Sequence, residues 1–484
     1  MNSSQGKSKV VKNYIYNTLY QLLVILAPLI TTPYISRVLG AEGVGTYSYA
    51  RSIASYFIMV GTVGTTLYGQ REIAYVQDNS EERTKVFWEI IIFRFICVMA
   101  CAFAYYAVFA MQGQYAEIYK ILTIEVIATA FDISWFFIGL ENFKTTVIRN
   151  TIVKLVGIIL TFVLVKKAND VSLYTFCLTI PILIGNLSLW FNLKKYLTKF
   201  SFSFFTSLKR HIKPILILFF PQIATEVYLV LDKTMIGVLA NNTEVGYYTQ
   251  AQQIIKVALT IVTSLGAVML PAMSAAFARG EKKEIEHHIE GAFQFTFMIA
   301  AALAFGLCAI SDVFVPIFFG AGFDEVVPLM IVISPIVFII GVSNVIGKQY
   351  LLPTKQQIFY TLSVVGGAIS NFCLNMFLIP VMNAVGASIA TVIAELTVTI
   401  IQCWCVRKQL PLLKFIKPLF KYIMMGFVMF GIVKGVGMVL PNNSIGLLIM
   451  ICVGGIVYLF ELLITKDPIL EQGKNLVLRK VGKR

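Results

Sequence analysis

Apolar residues along this chain gather into long runs separated by short polar stretches, and the runs predict fourteen spans at 14–36, 44–68, 87–111, 116–140, 147–166, 172–193, 213–239, 246–272, 289–311, 326–350, 357–378, 382–406, 416–439 and 444–464. Each is close to the roughly 20 residues that an α-helix, rising 1.5 Å per residue, needs to cross about 30 Å of hydrocarbon. The pattern predicts an all-α polytopic membrane protein with fourteen transmembrane helices.

Charge gives the spans a direction. Most of the 40 Lys and Arg fall in the N-terminal tail and in alternate connections, the even-numbered ones, while the odd-numbered connections are almost bare. The main contributors are Lys7, Lys9 and Lys12, the run from Lys194 to Lys213, the group Arg407, Lys408, Lys414 and Lys417, and the tail from Lys466 to Arg484. Cytoplasmic loops retain Lys and Arg, so both termini are expected in the cytoplasm. Lys166 and Lys167 depart from the rule at a helix end, where a long side chain can snorkel.

Composition fits this reading and removes several functions. The chain is 58% hydrophobic and 13% charged, too apolar for a soluble protein of 484 residues. A net charge of +15 does not call for nucleic acid, because basic loops facing anionic headgroups explain it. The first span is too long for a signal peptide and lacks a convincing cleavage site, so it is expected to remain. All eight cysteines fall within spans without metal-type spacing, which predicts packing roles, although Cys97 and Cys101 share a helix face. His211, His287 and His288 are placed in connections and read as solvated. With no P-loop, no HExxH and no soluble domain, neither an enzyme nor a cofactor is predicted. The triplets Asn241-Asn242-Thr243 and Asn442-Asn443-Ser444 read as Asn-rich turns.

An internal repeat constrains the architecture. Val44-Gly45-Thr46-Tyr47-Ser48-Tyr49-Ala50-Arg51 opens span two, and Val245-Gly246-Tyr247-Tyr248-Thr249-Gln250-Ala251-Gln252 opens span eight, each after a Val-Leu and a short turn. Six spans separate them. The spacing predicts two six-helix lobes in a parallel pseudo-two-fold repeat, with a substrate site between them. The expected division is an N-lobe at 1–193, an inter-lobe linker at 194–212, a C-lobe at 213–408, and two further helices with a basic tail at 409–484.

Charges inside spans carry the functional expectation, since one at the bilayer centre costs about 2.5–3.5 kcal/mol even on the lenient insertion scale. Tyr47, Arg51 and Ser55 share one face of span two, and Tyr248, Gln252 and Lys256 share the equivalent face of span eight. In the repeat alignment Arg51 matches Gln252 and Ser55 matches Lys256, so each lobe offers one cation, one turn apart. Two such cations suit an anion such as a diphosphate; snorkelling of Arg51 to headgroups is the alternative. Span seven carries Gln222, Thr225, Glu226, Tyr228, Asp232 and Lys233, either as structural pairs or as an ion-coupling group. Arg94, Asp132 and Lys154 are expected at similar depths, with Glu125 on the same helix face as Asp132, as a structural network or a gate for a proton or Na⁺. Glu395 near the middle of span twelve is another candidate. Asn13, Asn17 and Gln21 form a polar stripe on span one, where Pro28 and Pro33 permit bending.

Several motifs carry a family resemblance. The stretch from Pro33 to Gly40 with Gly43 and Gly45, and Gly69-Gln70-Arg71-Glu72-Ile73-Ala74, resemble the polysaccharide-transport branch of the multidrug/oligosaccharidyl-lipid/polysaccharide exporter superfamily. Trp135 to Lys144, Leu231 to Gly237 with Val245 to Tyr248, and Val385 to Thr391 resemble further segments of that family, so that the likeness runs through nearly the whole chain.

The resemblance implies a flippase in the bacterial inner membrane. Its substrate would be an undecaprenyl-diphosphate-linked oligosaccharide for capsule or O-antigen assembly, moved to the outer leaflet by alternating access. Charge-assisted hydrogen bonds from guanidinium and ammonium groups suit the diphosphate. Membrane lipids and polysaccharide polymerase machinery are the other expected partners, an H⁺ or Na⁺ gradient the expected drive. Spans thirteen and fourteen resemble an added pair that accommodates lipid tails in related flippases; their many glycines fit a groove or close packing. A lipid II flippase, a cation-coupled multidrug exporter and a non-transporting scaffold remain as alternatives.

Overall fold

A computed structural model describes residues 3–198 and 209–471, with side chains described from Tyr20 onward apart from Leu22 and several positions in two later helices. The expected contributions of Lys199 and of the tail beyond Glu471 lie outside the described residues, as do the side chains of Asn13, Asn17, Gln222 and Thr225.

Long apolar runs without strand-forming alternation fold here as helices, and no strand occurs among the described residues. The helices are α1 Ser3–Thr62, α2 Thr65–Tyr75, α3 Ser80–Tyr105, α4 Ala116–Ala128, α5 Ser134–Gly139, α6 Phe143–Leu164, α7 Val171–Trp190, α8 Lys209–Leu239, α9 Asn242–Arg279, α10 Lys282–Phe319, α11 Val326–Ile333, α12 Ile336–Asn344, α13 Gln357–Val406, α14 Leu412–Ile416, α15 Leu419–Gly437 and α16 Ser444–Ile464.

Among the described residues, 10 helical segments are long and apolar enough to cross a membrane, which makes this a multi-pass membrane protein. Two of them, Leu23–Tyr75 with 53 residues and Gln357–Val406 with 50, exceed twice the length of one crossing. Each is broken: Gly40 adopts φ 66°, ψ −178° within α1, and Asn383 adopts φ 50°, ψ −131° within α13. If each of these crosses twice and α8 and α9 cross once, the expected fourteen is recovered; length and composition alone give ten. Helix starts are capped where the chain offers a short polar side chain. Asn79 accepts from the amides of Glu81 and Glu82 at 3.1 Å, Asn241 from Glu244 at 3.0 Å, and Asn443 from Gly446 at 2.9 Å. Both Asn-rich triplets are therefore helix starts. At the start of α7, the amides of Lys166 and Lys167 each donate to Asp170 at 2.8 Å and hold its carboxyl below the usual range.

The chain divides into two compact units, up to Gly246 and from Tyr247 onward. The boundary of packing thus lies beyond the seventh span, whereas the repeat places the lobe boundary before it. In the first unit, Ile215 of α8 is buried in a cluster with Tyr68, Phe87, Trp135, Phe136, Phe137 and Leu193. Phe87 stacks on Trp135 at 5.7 Å and meets Phe136 edge to face at 5.0 Å. The two repeat motifs also touch within this unit. A Cβ on Gly45 would sit 1.6 Å from the Asn242 carbonyl, and one on Gly246 would sit 2.0 Å from that of Ala41. Only glycine permits this mutual backbone approach.

In the second unit, α10 packs Phe293, Phe297 and Ala301 against Tyr422, Met425 and Met429 of α15 and Tyr458 and Leu462 of α16. Tyr458 donates to the Met298 carbonyl at 2.8 Å. Side chains such as Ile159 and Val163 in the first unit, and Phe427, Ile456 and Phe460 in the second, face outward as a lipid-exposed surface requires.

Candidate functional site

Four of the expected residues lie together in the first unit. Arg51 lies on the part of α1 beyond Gly40, and its Nη2 donates to Glu125 Oε1 of α4 at 2.9 Å. The two ends of this pair differ: the Glu125 side chain is 7% exposed and the Arg51 side chain 48%. A buried carboxylate thus anchors a half-exposed guanidinium, whose Nε and Nη1 bond to no protein acceptor among the described residues. Tyr47, one turn earlier, meets Tyr174 of α7 edge to face at 4.9 Å, and the Ser55 hydroxyl donates to the Arg51 carbonyl at 2.9 Å. Ser52 and Tyr56 reach Thr234 of α8 at 2.8 and 3.2 Å, which ties the seventh span to the second.

The equivalent face in the second unit is built differently. Tyr248 is fully buried; its hydroxyl lies 2.9 Å from Thr391 of α13 and accepts from Gln252 at 2.7 Å. Thr391 in turn donates to the Ala387 carbonyl at 2.8 Å. Lys256, one turn beyond Gln252 on α9, is exposed and has no ion-pair partner among the described residues.

The remaining candidates separate into distinct places. Arg94 is 2% exposed; its Nε donates to the Thr129 carbonyl at 2.8 Å and its Nη1 to Thr66 at 3.0 Å and Thr65 at 3.3 Å. Asp132 lies 3.9 Å from Arg94 and accepts from Arg149 at 3.1 Å and from the Ser134 amide at 3.0 Å. The expectation that Glu125 and Asp132 share a helix face is corrected here. α4 ends at Ala128, a 3₁₀ turn covers Thr129–Phe131, and Asp132 is extended, so the helical period does not reach it. Arg94 satisfies a carbonyl freed at that break, which gives it a structural role there. Lys154 is half-buried further along α6; Asp132 is hydrogen-bonded to Arg149 and lies within ion-pair distance of Arg94.

On α8, Glu226 is exposed, Asp232 buried and Lys233 half-buried. Glu395 on α13 is half-buried, and its carbonyl accepts from Thr399 at 2.9 Å. His211, expected to be solvated, is instead 2% exposed and bonded to Glu89, because the start of α8 folds onto α2 and α3. Arg149, Glu89 and the fully buried amides Asn371 and Asn375 were not anticipated. For Glu89 a signal existed: a carboxylate inside the apolar run Trp88 to Ile92. Among the described residues no group of His, Cys, Asp and Glu is arranged to hold a metal ion.

A second feature is apolar. Between α10, α15 and α16 lies a groove of about 410 Å³ lined by Gly306, Ile310, Met429, Val433, Gly455 and Tyr458. The glycines of spans thirteen and fourteen divide between two uses. A Cβ on Gly426 would come within 2.2 Å of Phe305, so this glycine allows close packing, whereas nothing lies within 4 Å of one on Gly455, which faces the groove.

The fold is that of known transporters. The chain is similar to a solved structure of the lipid II flippase MurJ in an inward closed conformation, with TM-score 0.75, 18% identity, and coverage of 95% of this chain and 100% of that one. It also resembles an inward-facing multidrug resistance MATE family transporter of the MOP superfamily, with TM-score 0.58 and 10% identity over 82% of this chain and 99% of that one. In sequence it is 23% identical over 415 residues, 84% of this chain and 98% of the relative, to a protein of Escherichia coli (strain K12) named as an O-antigen transporter. A Haloferax volcanii protein named as a low-salt glycan biosynthesis flippase, Agl15, is 24% identical over 258 residues, 52% of this chain and 53% of that protein. The family described as "Polysaccharide biosynthesis protein" matches residues 10–277. That match spans more than half of the 484 residues, and the chain belongs to this family.

Proposed function

We propose that this protein is a flippase that moves an undecaprenyl-diphosphate-linked oligosaccharide across a bacterial inner membrane by alternating access, with both termini in the cytoplasm. The observation that carries the reading is the Arg51–Glu125 pair, a cation held from behind by a buried carboxylate while two of its donor groups remain open. Guanidinium donors of this kind bind phosphate oxygens with charge-assisted, two-point geometry. Lys256 supplies the second cation for the diphosphate, and Tyr47, Ser55, Gln252 and Tyr248 shape the surface beside the two cations. The apolar groove between α10, α15 and α16 takes part of the polyprenyl tail, for which its lining has the right chemistry. The family match and the names of the two relatives support a lipid-linked glycan as cargo. A proton or Na⁺ gradient supplies the drive.

Translocation in proteoliposomes tests this. Polyprenyl-diphosphate glycans, lipid II and a cationic drug are offered in parallel, with pH and Na⁺ gradients varied separately. Transport of the polyprenyl-diphosphate glycan above the other two is the expected result. Equal movement by the Arg51→Ala and Lys256→Ala variants, inserted to the same level, would overturn the assignment of the site.

A further inference from the structure

A buried acid–base cluster that the transport site does not use joins α2, α3 and the start of α8. Glu89 on α3 is fully buried, and among the described residues a single side-chain oxygen, Oε2, receives every bond its carboxylate makes. His211 Nε2 lies 2.7 Å from it, Arg210 Nε donates to it at 3.1 Å, and Arg210 Nη2 donates as well. Across the imidazole, Nδ1 is 2.7 Å from the Tyr68 hydroxyl, and the two rings meet edge to face at 5.5 Å. The other carboxylate oxygen, Oε1, is buried with no hydrogen-bond partner.

This arrangement sets two counter-charges of unequal kind against one carboxylate. Arg210 is always charged, but its side chain is 46% exposed; the side chain of His211 is 3% exposed and carries a charge only when it binds a proton. Arg210 Nε also lies 3.3 Å from His211 Nε2. In the neutral tautomer whose Nε2–H donates to Glu89, the Tyr68 hydroxyl donates to Nδ1, and Arg210 Nε directs its hydrogen to Glu89 rather than to Nε2 and balances the charge. A proton arriving at Nδ1 needs only rotation of the Tyr68 hydroxyl, which then accepts from Nδ1–H. Glu89 and His211 share a hydrogen bond, so a proton taken up belongs to the pair, whichever atom holds it. In either placement the carboxylate is balanced from within the buried pair. Arg210 then adds excess positive charge to a poorly solvated site and has open solvent beside it.

The neighbouring charges leave this logic intact. On α2, Arg71 lies 5.3 Å over the Tyr68 ring but is bonded to Glu72 at 2.9 Å. On α3, Lys85 is half-buried one turn before Glu89 and makes no ion pair with it; on α8, Lys213 is exposed.

We propose that Glu89, His211 and Tyr68 form a proton-binding site in which an incoming proton replaces Arg210 as the counter-charge of Glu89, releasing Arg210 and loosening the first turns of α8 from α3. The site belongs to the first unit alone and does not depend on the identity of the cargo.

Backbone hydrogen exchange of the full-length protein in nanodiscs, corrected for intrinsic rates, tests it without transport. Between about pH 8 and about pH 5.5, protection across 209–217 is expected to fall several-fold in one step. The step should persist when Na⁺ is replaced by choline. Glu89→Gln, which has no charge to balance, should show low protection at both pH values. His211→Gln should keep high protection at both, because Arg210 still holds Glu89. A flat profile in the unmodified protein, a step that requires Na⁺, or a step retained by His211→Gln would each overturn the proposal. Should Glu89→Gln fail to fold, His211→Gln decides alone.

Discussion

The two repeat-related faces hold their cations by opposite means. In the first unit Arg51 is fixed by a buried carboxylate 74 residues away in sequence, and the side chain of its neighbour Tyr47 makes a ring contact but no hydrogen bond among the described residues. In the second unit the tyrosine is the fixed group, locked between Gln252 and Thr391, and the cation Lys256 has no ion-pair partner among the described residues. If these two cations meet the substrate as proposed, an oriented cation that already has an anion must share itself, whereas one with no such partner has only water to give up. On that reading the same helical face serves position in one unit and charge in the other.

Three substitutions test that contrast by their size. Lys256→Ala is expected to reduce translocation most, by about 10- to 100-fold at equal insertion, since hydrogen bonds to charged groups are worth about 1.5–3 kcal/mol and no protein group substitutes. Arg51→Ala should reduce it by about tenfold, because Glu125 already takes part of the guanidinium's interaction. The same change also strands a buried carboxylate, so thermal unfolding should show a loss of about 1–3 kcal/mol that Lys256→Ala does not produce. Equal destabilisation by both variants would break the contrast. Glu125→Gln sharpens it by making the first unit resemble the second. With Arg51 half-exposed, little stability is at stake, and binding of a diphosphate-bearing lipid analogue should tighten by about two- to fivefold, the scale of an exposed ion pair. Weaker binding would mean that Glu125 is needed to aim the guanidinium rather than competing for it.

How much of this was legible in the sequence follows from the range of the interactions. The all-helical, multi-pass character, the breaks near Gly40 and between spans eleven and twelve, and the paired Val-Gly motifs were readable because hydropathy, turn chemistry and repetition are local. The tight constraint on Gly45 and Gly246, contact with each other's flanking backbone, emerges only in three dimensions. Partner choice was not readable. Helical periodicity placed Glu125 with Asp132, but the unwound stretch at 129–133 sends one carboxylate to Arg51 and the other to Arg149. His211 was misread for a related reason: its position in a basic connection says nothing of α8 folding back onto Phe87 and Glu89, a contact spanning 122 residues. Local sequence thus identified which groups are costly to bury, and long-range packing decided how each is satisfied.

The smallest expected effect discriminates well, because one substitution made at two equivalent positions should give two results. Tyr248→Phe removes a hydroxyl that is buried between Thr391 and Gln252, each 2.7 to 2.9 Å away. Thr391 retains its bond to the Ala387 carbonyl, and Gln252 is half-buried with access to water, so the loss should be about 1 kcal/mol rather than the larger penalty of an orphaned buried group. Tyr47→Phe keeps the ring contact with Tyr174 and removes a hydroxyl that bonds to no protein group among the described residues, which predicts a stability change within about 0.5 kcal/mol. Thermal unfolding of the two variants in the same detergent measures the difference. Similar losses at both positions would mean that the tyrosines, despite different surroundings, are held alike. The contrast between the units would then rest on Arg51 and Lys256 alone.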